Sequence, residues 1–362
     1  MQTIRLRPAP HCRSHIQSYS LKVLPEKHFI NWQQDPFGNY LARLVFPEET
    51  KEFSVEVDLI TELRVFNPFD FFLEDYAEKF PFSYSAELKE ELSPYLEIKE
   101  NGSLLKAWLK DFTESIQINK GTKLNTIDFL VAINSELNKS LKYVIRLEEG
   151  IQNCEETLKL KSGSCRDSAW LLCQAMRHLG LATRFASGYL IQLKADIKSL
   201  DGPSGTDHDF TDLHAWTEVY LPGAGWIGLD PTSGLFTGEG HIPLCCTPNP
   251  SSAAPISGLL EACDSSLHHE MTITRIHEDR RVTKPYSDHE WNSIDLLGKA
   301  IDKDLSKSKI ELTMGGEPTF VSLDNRSGSE WNFTALSDEK KQLGEKLLLS
   351  LKERFQPNAL LS

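Results

Sequence analysis

The chain has 362 residues, 40% of them hydrophobic and 25% charged, with a formal net charge of −13. This is the composition of a globular protein with material for more than one domain. Without a basic stretch, the acidic balance excludes nucleic acid as a partner. No segment is apolar over the length a membrane span needs, and Met1-Gln2-Thr3-Ile4-Arg5-Leu6-Arg7 has no signal-peptide core. Seven cysteines without a CxxC pair argue for reduced thiols and a cytoplasmic location, against a disulfide framework or a zinc ribbon.

Residues 1–75 read as β. Tyr40 to Phe46 is rich in strand formers, Phe53 to Leu59 alternates, and turn signals stand at Asp35-Pro36-Phe37-Gly38-Asn39. An antiparallel sandwich or sheet fits. Asn67-Pro68-Phe69-Asp70-Phe71-Phe72 is aromatic and is expected to pack between domains. Residues 86–147 turn helical, with helix-spaced apolar positions at 104–109 and 127–137.

Ser162-Gly163-Ser164-Cys165-Arg166-Asp167 then leads into a 3.6-residue pattern carried by Ala169, Leu172, Cys173, Met176 and Leu179, with Gly180 as the stop. Ser162 or Ser164 can cap this helix. Cys165 falls in its first turn, where unpaired N–H groups and the helix dipole favour a thiolate. β patterns follow at 182–193, 215–221 and 226–229. The Pro/Ser/Ala-rich stretch 243–265 reads as a surface connection, 271–276 as a strand, 291–305 as a helix and 340–355 as an amphipathic helix. The chain stops soon after, at Ala359-Leu360-Leu361-Ser362, without a polar cap, which suggests a longer protein.

His214 opens one strand of a hairpin and Asp230 closes the next, so both lie at the same end of it. A four-residue loop would pair Asp230 with Thr217 and turn its side chain away from His214. A three-residue loop, 222–224, with a bulge at Gly225 pairs Leu221 with Gly225 and sets Asp230 opposite Trp216, diagonal to His214 and on its face. The bulged register is the expected one. Cys165 then serves as nucleophile and His214 as the base that returns its proton to a leaving amine. Asp230 orients the imidazole. The Cys165 backbone N–H is a natural oxyanion donor, and a second donor is not named by the sequence. Asp230 has a plainer role open to it as well, starting a turn before Pro231.

The glycine-serine-cysteine helix start, Leu213-His214-Ala215-Trp216-Thr217-Glu218-Val219-Tyr220-Leu221-Pro222-Gly223-Ala224-Gly225-Trp226-Ile227-Gly228-Leu229-Asp230-Pro231-Thr232, and the order Cys–His–Asp together resemble the bacterial transglutaminase-like superfamily. The resemblance covers about 86–245. It implies an α+β fold with a papain-like/transglutaminase-like core and an N-terminal antiparallel β domain. The organisation expected is a β domain over 1–80, the cysteine-enzyme core over 81–265 and a connecting strand and helix over 266–310. Residues 311–362 would begin a C-terminal domain, since Ile310 to Val321 resembles the start of an amidoligase-like one. The resemblance assigns the catalytic roles to Cys165, His214 and Asp230. It implies thiol-dependent hydrolysis or acyl transfer on a peptide or peptide-like amide, with the C-terminal domain of a longer chain as a partner. Some relatives are inactive folds, so a non-catalytic scaffold serving that C-terminal domain is the alternative.

No cofactor or metal site is expected. Asp196, Asp201, Asp207, Asp209 and Asp212 match no calcium loop, and His208, His214, His241, Cys245 and Cys246 show no zinc spacing. His11, His15, His268 and His269 read as surface residues. Arg166 and Asp167 are candidates for support of the site, and Asp209, Asp212 and Glu218 for the carboxylate should Asp230 not serve.

Overall fold

The computed structural model describes residues 1–118, 122–146, 148–194, 206–261, 266–277, 286–308, 310–315, 317–322 and 338–355. These fall into two compact units, Met1–Ile276 and His277–Ser362. Asp196 and Asp201 lie outside the described residues.

The first unit opens with strands β1 (Gln2–Ile4), β2 (His15–Leu24), β3 (Phe29–Gln34), β4 (Tyr40–Val45) and β5 (Ser54–Glu62). β1, β4 and β3 form one antiparallel sheet, and β2 pairs with β5 in a second. The expected antiparallel arrangement of this region is therefore present. Its buried side chains, Ile4, Leu6, Val23, Ala42 and Leu44, share one apolar cluster with Tyr189, Ile242 and Leu244. The N-terminal strands thus depend on the next sheet to bury their inner face.

Short strands β6 (Lys79–Phe80), β7 (Leu124–Asn125), β8 (Lys142–Tyr143) and β9 (Ser162–Gly163) alternate with helices. The helices are α1 (Ala86–Glu91), α2 (Ser93–Leu96), α3 (Ser103–Ser115), α4 (Thr126–Ser140), α5 (Cys154–Leu160) and α6 (Cys165–His178). Beyond α6 come β10 (Thr183–Gln192), β11 (Phe210–Leu221), β12 (Gly225–Asp230), β13 (Leu235–Phe236), β14 (His241–Thr247) and β15 (Ile256–Gly258). Five of these form an antiparallel sheet in the order β13-β12-β11-β10-β14, while β15 joins β1.

Two expectations are corrected. Residues 241–247 are a buried strand rather than surface connection, because Ile242, Leu244, Cys245 and Cys246 are apolar enough for both faces to be covered. Residues 271–276 form no strand. Met271 packs against the N-terminal cluster, and Arg275 donates to Asp209 Oδ1 at 2.6 Å and to the Lys194 carbonyl at 2.7 Å. Side-chain anchoring there replaces a ladder. In the aromatic stretch, Phe69 lies 4.8 Å from Phe236, ring to ring, and Phe72 is exposed.

α6 is the buried axis of this unit. Ala169, Leu171, Leu172, Cys173, Ala175 and Met176 are inaccessible. That is more than one stripe, as expected for a helix covered on several sides. Thr217 Oγ1 on β11 donates to the Ala169 carbonyl at 2.7 Å, tying helix to sheet. Arg177, buried, spends its charge on the carbonyls of Glu97, Thr183 and Pro248, as a buried cation must. Gly180, at φ +83°, ends the helix where a left-handed residue is needed.

The start of α6 is built around Asp167. Its buried carboxylate accepts from the Ser164 N–H at 2.8 Å, the Ser164 hydroxyl at 2.7 Å and the Gln152 N–H at 2.7 Å. Arg146 Nε completes the set at 2.8 Å. The acid beside the candidate nucleophile is therefore turned inward and neutralised. On the outer side, Arg166 donates to the carbonyls of Arg146 and Glu148 at 3.1 and 2.6 Å.

The second unit contains α7 (Asp288–Lys307), the hairpin β16 (Ile310–Gly315) and β17 (Glu317–Ser322), and α8 (Asp338–Phe355). Both expected helices are present. Ser287 and Glu290 cap α7 reciprocally.

Removing one partner of a buried ion pair strands the other. Asp167→Ala is expected to cost about 3–5 kcal/mol of stability, read as a lower denaturant midpoint, because Arg146 and three donors lose their acceptor.

Candidate active site

The β11–β12 hairpin sets the geometry. Leu221 pairs with Gly225, Val219 with Ile227 and Thr217 with Leu229, which is the bulged register. Gly223 and Gly225 take φ of +90° and +78°, the left-handed conformation that a short bulged turn requires and glycine supplies. One residue beyond the last ladder pair, Asp230 lies on the His214 side.

Structure brings Cys165, His214 and Asp230 together. His214 Nε2 is 3.2 Å from Asp230 Oδ2, and both side chains are buried. With Nε2 on a carboxylate, the ring proton resides there and Nδ1 is left to face a reacting partner. That partner is Cys165. Burial alone would favour neutral imidazole, but hydrogen bonds and charge from Asp230 and Cys165 outweigh it and raise His214 to about 10. His214 stands between sulfur on one side and carboxylate on the other, and both favour its protonated form. Burial also opposes ionisation of Asp230, yet hydrogen bonds from His214 and His241 hold its carboxyl well below the usual range.

The two oxygens of Asp230 divide their work. Oδ1 accepts the Thr232 N–H at 2.9 Å and the Thr232 hydroxyl at 2.7 Å, an Asx turn of the kind expected of an Asp-Pro start. Oδ2 accepts the Ser233 hydroxyl at 3.0 Å and faces His214 and His241, the latter at 3.4 Å. One side chain therefore makes both the turn contacts and the contact to His214.

Helix α4 grips this turn from behind. Asn134 Nδ2 donates to the carbonyls of Asp230 and Leu235 at 3.3 and 3.0 Å, and Asn138 Nδ2 to those of Pro231 and Thr232 at 3.1 and 2.7 Å. The four-residue spacing of the two asparagines puts them on one helix face. Sequence reasoning missed this clamp, though an Asn-x-x-x-Asn pair in an apolar helix was its visible signal. It missed Tyr143 too. That half-exposed phenol is raised by burial and by the charges of Cys165, Asp212 and Asp230, which places it at the site's rim.

The other candidates are engaged elsewhere. Asp209 is bonded to Arg275, which helps hold its carboxyl at about 2. Asp212 lies 3.9 Å from His269, and Glu218 is paired with Arg184 at 2.6 Å and accepts from Trp216 Nε1 at 3.2 Å. His208 is exposed beside Asp207, and Cys245 and Cys246 are buried away from it. His15 stands 3.7 Å from Glu62. His11 is exposed, as expected, but it has partners. Its Nε2 is 3.1 Å from Arg184 and 3.5 Å from Cys246, and burial and the arginine lower it. It helps line a cavity of about 350 Å³ with Arg184, Glu218, Trp216, Trp226 and His241. Among the described residues, two groups bring ligand atoms within 4.8 Å of one another and could hold a cation: His214, Asp230 and His241, and His11, Glu218 and Cys246. In both, hydrogen bonds and ion pairs within the protein already engage the ligand atoms.

A histidine whose folded value is raised stabilises the fold only while protonated. Its contribution is complete below its ordinary value near 6.5 and is lost as pH climbs through about 10. Denaturant midpoints taken from neutral pH upward are expected to fall in the wild type across that window. In His214→Gln the part of the fall due to this residue is absent.

Comparison with known proteins accords with this geometry. Residues 111–231 match the family described as "Transglutaminase-like superfamily", 1–62 the "Bacterial transglutaminase-like N-terminal region" and 261–362 a "Putative amidoligase enzyme". An uncharacterized protein of Mycobacterium tuberculosis is 30% identical over 111 residues, covering 29% of this chain and 33% of that protein. Uncharacterized YebA of Bacillus subtilis is 29% identical over 77 residues, or 21% of this chain and 10% of YebA. The match thus spans about a third of the mycobacterial relative's length. A crystal structure titled as a "Putative Cysteine Protease" from Cytophaga hutchinsonii superposes with a TM-score of 0.52 at 21% identity, covering 77% of this chain and 89% of that one. That likeness is one of fold. No helix among the described residues is long and apolar enough to cross a membrane. Over 111–231 the chain is thus similar to the transglutaminase-like superfamily, over 1–62 to the bacterial N-terminal region of that group and over 261–362 to the family described as a putative amidoligase.

Proposed function

We propose that this protein is a thiol-dependent enzyme acting on amide bonds of a peptide or peptide-like substrate through Cys165, His214 and Asp230. One observation carries the proposal: a buried imidazole stands between a cysteine at a helix start and a buried carboxylate, 3.2 Å from the latter. An imidazole so placed can take the thiol proton, and the thiolate is the nucleophile.

The Cys165 sulfur adds to the amide carbonyl, and the new oxyanion is met by the Cys165 backbone N–H, an unpaired donor of the first helical turn. His214 gives its Nδ1 proton to the departing amine as the C–N bond breaks, leaving a thioester and a neutral ring. That ring then takes a proton from water or from a second amine as it attacks the thioester, and the thiolate–imidazolium pair is restored. Asp230 keeps the proton on Nε2 and stabilises the imidazolium in both halves. Water as acceptor makes the enzyme a hydrolase and an amine makes it a transferase. The non-catalytic alternative, a scaffold for the C-terminal domain, requires that this pair never meet a substrate.

The test is to trap the acyl-enzyme from a peptide library by mass spectrometry, with and without added primary amines. The expected adduct sits on Cys165 and is absent in Cys165→Ser. Asp230→Asn is expected to lower turnover by about 10²–10⁴-fold while the protein stays folded. Failure to label Cys165 above the other cysteines, or labelling unchanged by His214→Ala, would favour the scaffold.

A further inference from the structure

The geometry points to His241 as a positioning residue of this site, a second imidazole that aims the Asp230 carboxylate at His214. The inference rests on the thiol-enzyme reading above and adds a fourth member to its machinery.

Local structure fixes His241 before it meets Asp230. Gly240 precedes it, and a Cβ there would lie 2.1 Å from the Ile191 carbonyl oxygen, so only glycine lets the chain run this close to β10. The His241 N–H closes a turn onto the Gly238 carbonyl at 3.0 Å, and the Gly238 N–H donates back to His241 Nδ1 at 3.3 Å. With Nδ1 an acceptor, the neutral ring carries its proton on Nε2. Nε2 is the atom that faces Asp230 Oδ2, 3.4 Å away. The ring meets Trp216 edge to face, 5.3 Å between centroids, which leaves it little freedom to turn.

Oδ2 therefore receives His214, His241 and Ser233 from three directions, while Oδ1 is held by Thr232 alone. Without His241, Oδ2 is held away from the turn by His214 alone, so the carboxylate plane resists rotation about Cβ–Cγ less firmly. A buried carboxylate is correctly aimed only when its lone pairs are occupied on the sides that do not react. His241 shares Asp230 Oδ2 with His214, the two ring centroids 5.9 Å apart. It acts through Asp230.

The test compares the full chain with His241→Phe, which keeps the ring packing on Trp216, and His241→Gln, which restores an N–H donor. The probe is iodoacetamide, and the readout is the rate of Cys165 alkylation followed by peptide mass spectrometry between about pH 5 and 9. His241→Phe is expected to slow alkylation at neutral pH about tenfold or more, with an altered pH profile. His241→Gln should recover to within about threefold of wild type, since a hydrogen bond to a charged acceptor is restored. Should Phe and Gln behave alike, or Phe match wild type in rate and profile, the inference falls. A second measurement needs no variant. Imidazole ¹⁵N shifts of the wild type are expected to show neutral His241 protonated on Nε2, and an Nδ1-protonated ring would overturn the assignment. If wild-type Cys165 is no more reactive than the other cysteines, the thiol-enzyme reading itself has failed. The ¹⁵N result then still decides where His241 points.

Discussion

Everything at the centre of this protein depends on keeping one carboxylate ionised out of water. Burying a charge is costly unless hydrogen bonds and an opposite charge replace the solvent. Asp230 meets that condition with two hydroxyls, a backbone N–H and two imidazoles. The return on the arrangement is a histidine whose positive form is preferred even though it is buried. Carboxylate and imidazole thus favour one another's charged forms away from water, where the interaction between charges is strengthened.

The architecture can be read as a set of supports for that pair. α6 brings the sulfur, and its N-terminus is fixed by Asp167 and Arg146 so that the neighbouring acid does not oppose a thiolate. β11 and β12 bring the other two groups in one register. α4 holds the turn after Asp230 through two side-chain amides, and β14 adds His241. Five elements, only two of them consecutive in sequence, converge here, which is why the sheet and helices must all be complete before the site exists. The N-terminal strands contribute indirectly by covering Tyr189, Ile242 and Leu244 on the same sheet.

Much of this was legible in the sequence. The Cys165 helix had a clean period and small residues before it, and hairpin arithmetic alone selected the register that aligns His214 with Asp230. Residues 40–45, 103–115 and 126–140 also folded as their patterns indicated. The failures have a common cause. Residues 243–265 read as connection because prolines and small residues suggested exposure, whereas the strand over 241–247 owes its character to a partner, β10, more than fifty positions away in the sequence. His241, Asn134 and Asn138 escaped for the same reason. Their meaning lies in contacts with the 230–235 turn, which the spacing of the two asparagines can hint at but not identify. His11 is exposed as read, but its partners Arg184 and Cys246, on β10 and β14, were out of reach of the local sequence.

The Pro222-Gly223-Ala224 turn carries a different kind of consequence. The Pro222 carbonyl accepts the Glu74 N–H at 3.0 Å, and a Cβ on Gly223 would lie 2.8 Å from that same nitrogen. The turn is wedged against the 72–74 backbone, at the end of the hairpin away from the chemistry. Side chains alternate along a strand, so inserting or deleting a single residue here would send Asp230 to the opposite face of the sheet. Surface turns ordinarily absorb length changes during evolution. This one is expected to be frozen in length across descendants that keep the chemistry, and to vary in lineages that have lost it, which makes the length of a remote turn a marker of catalytic history.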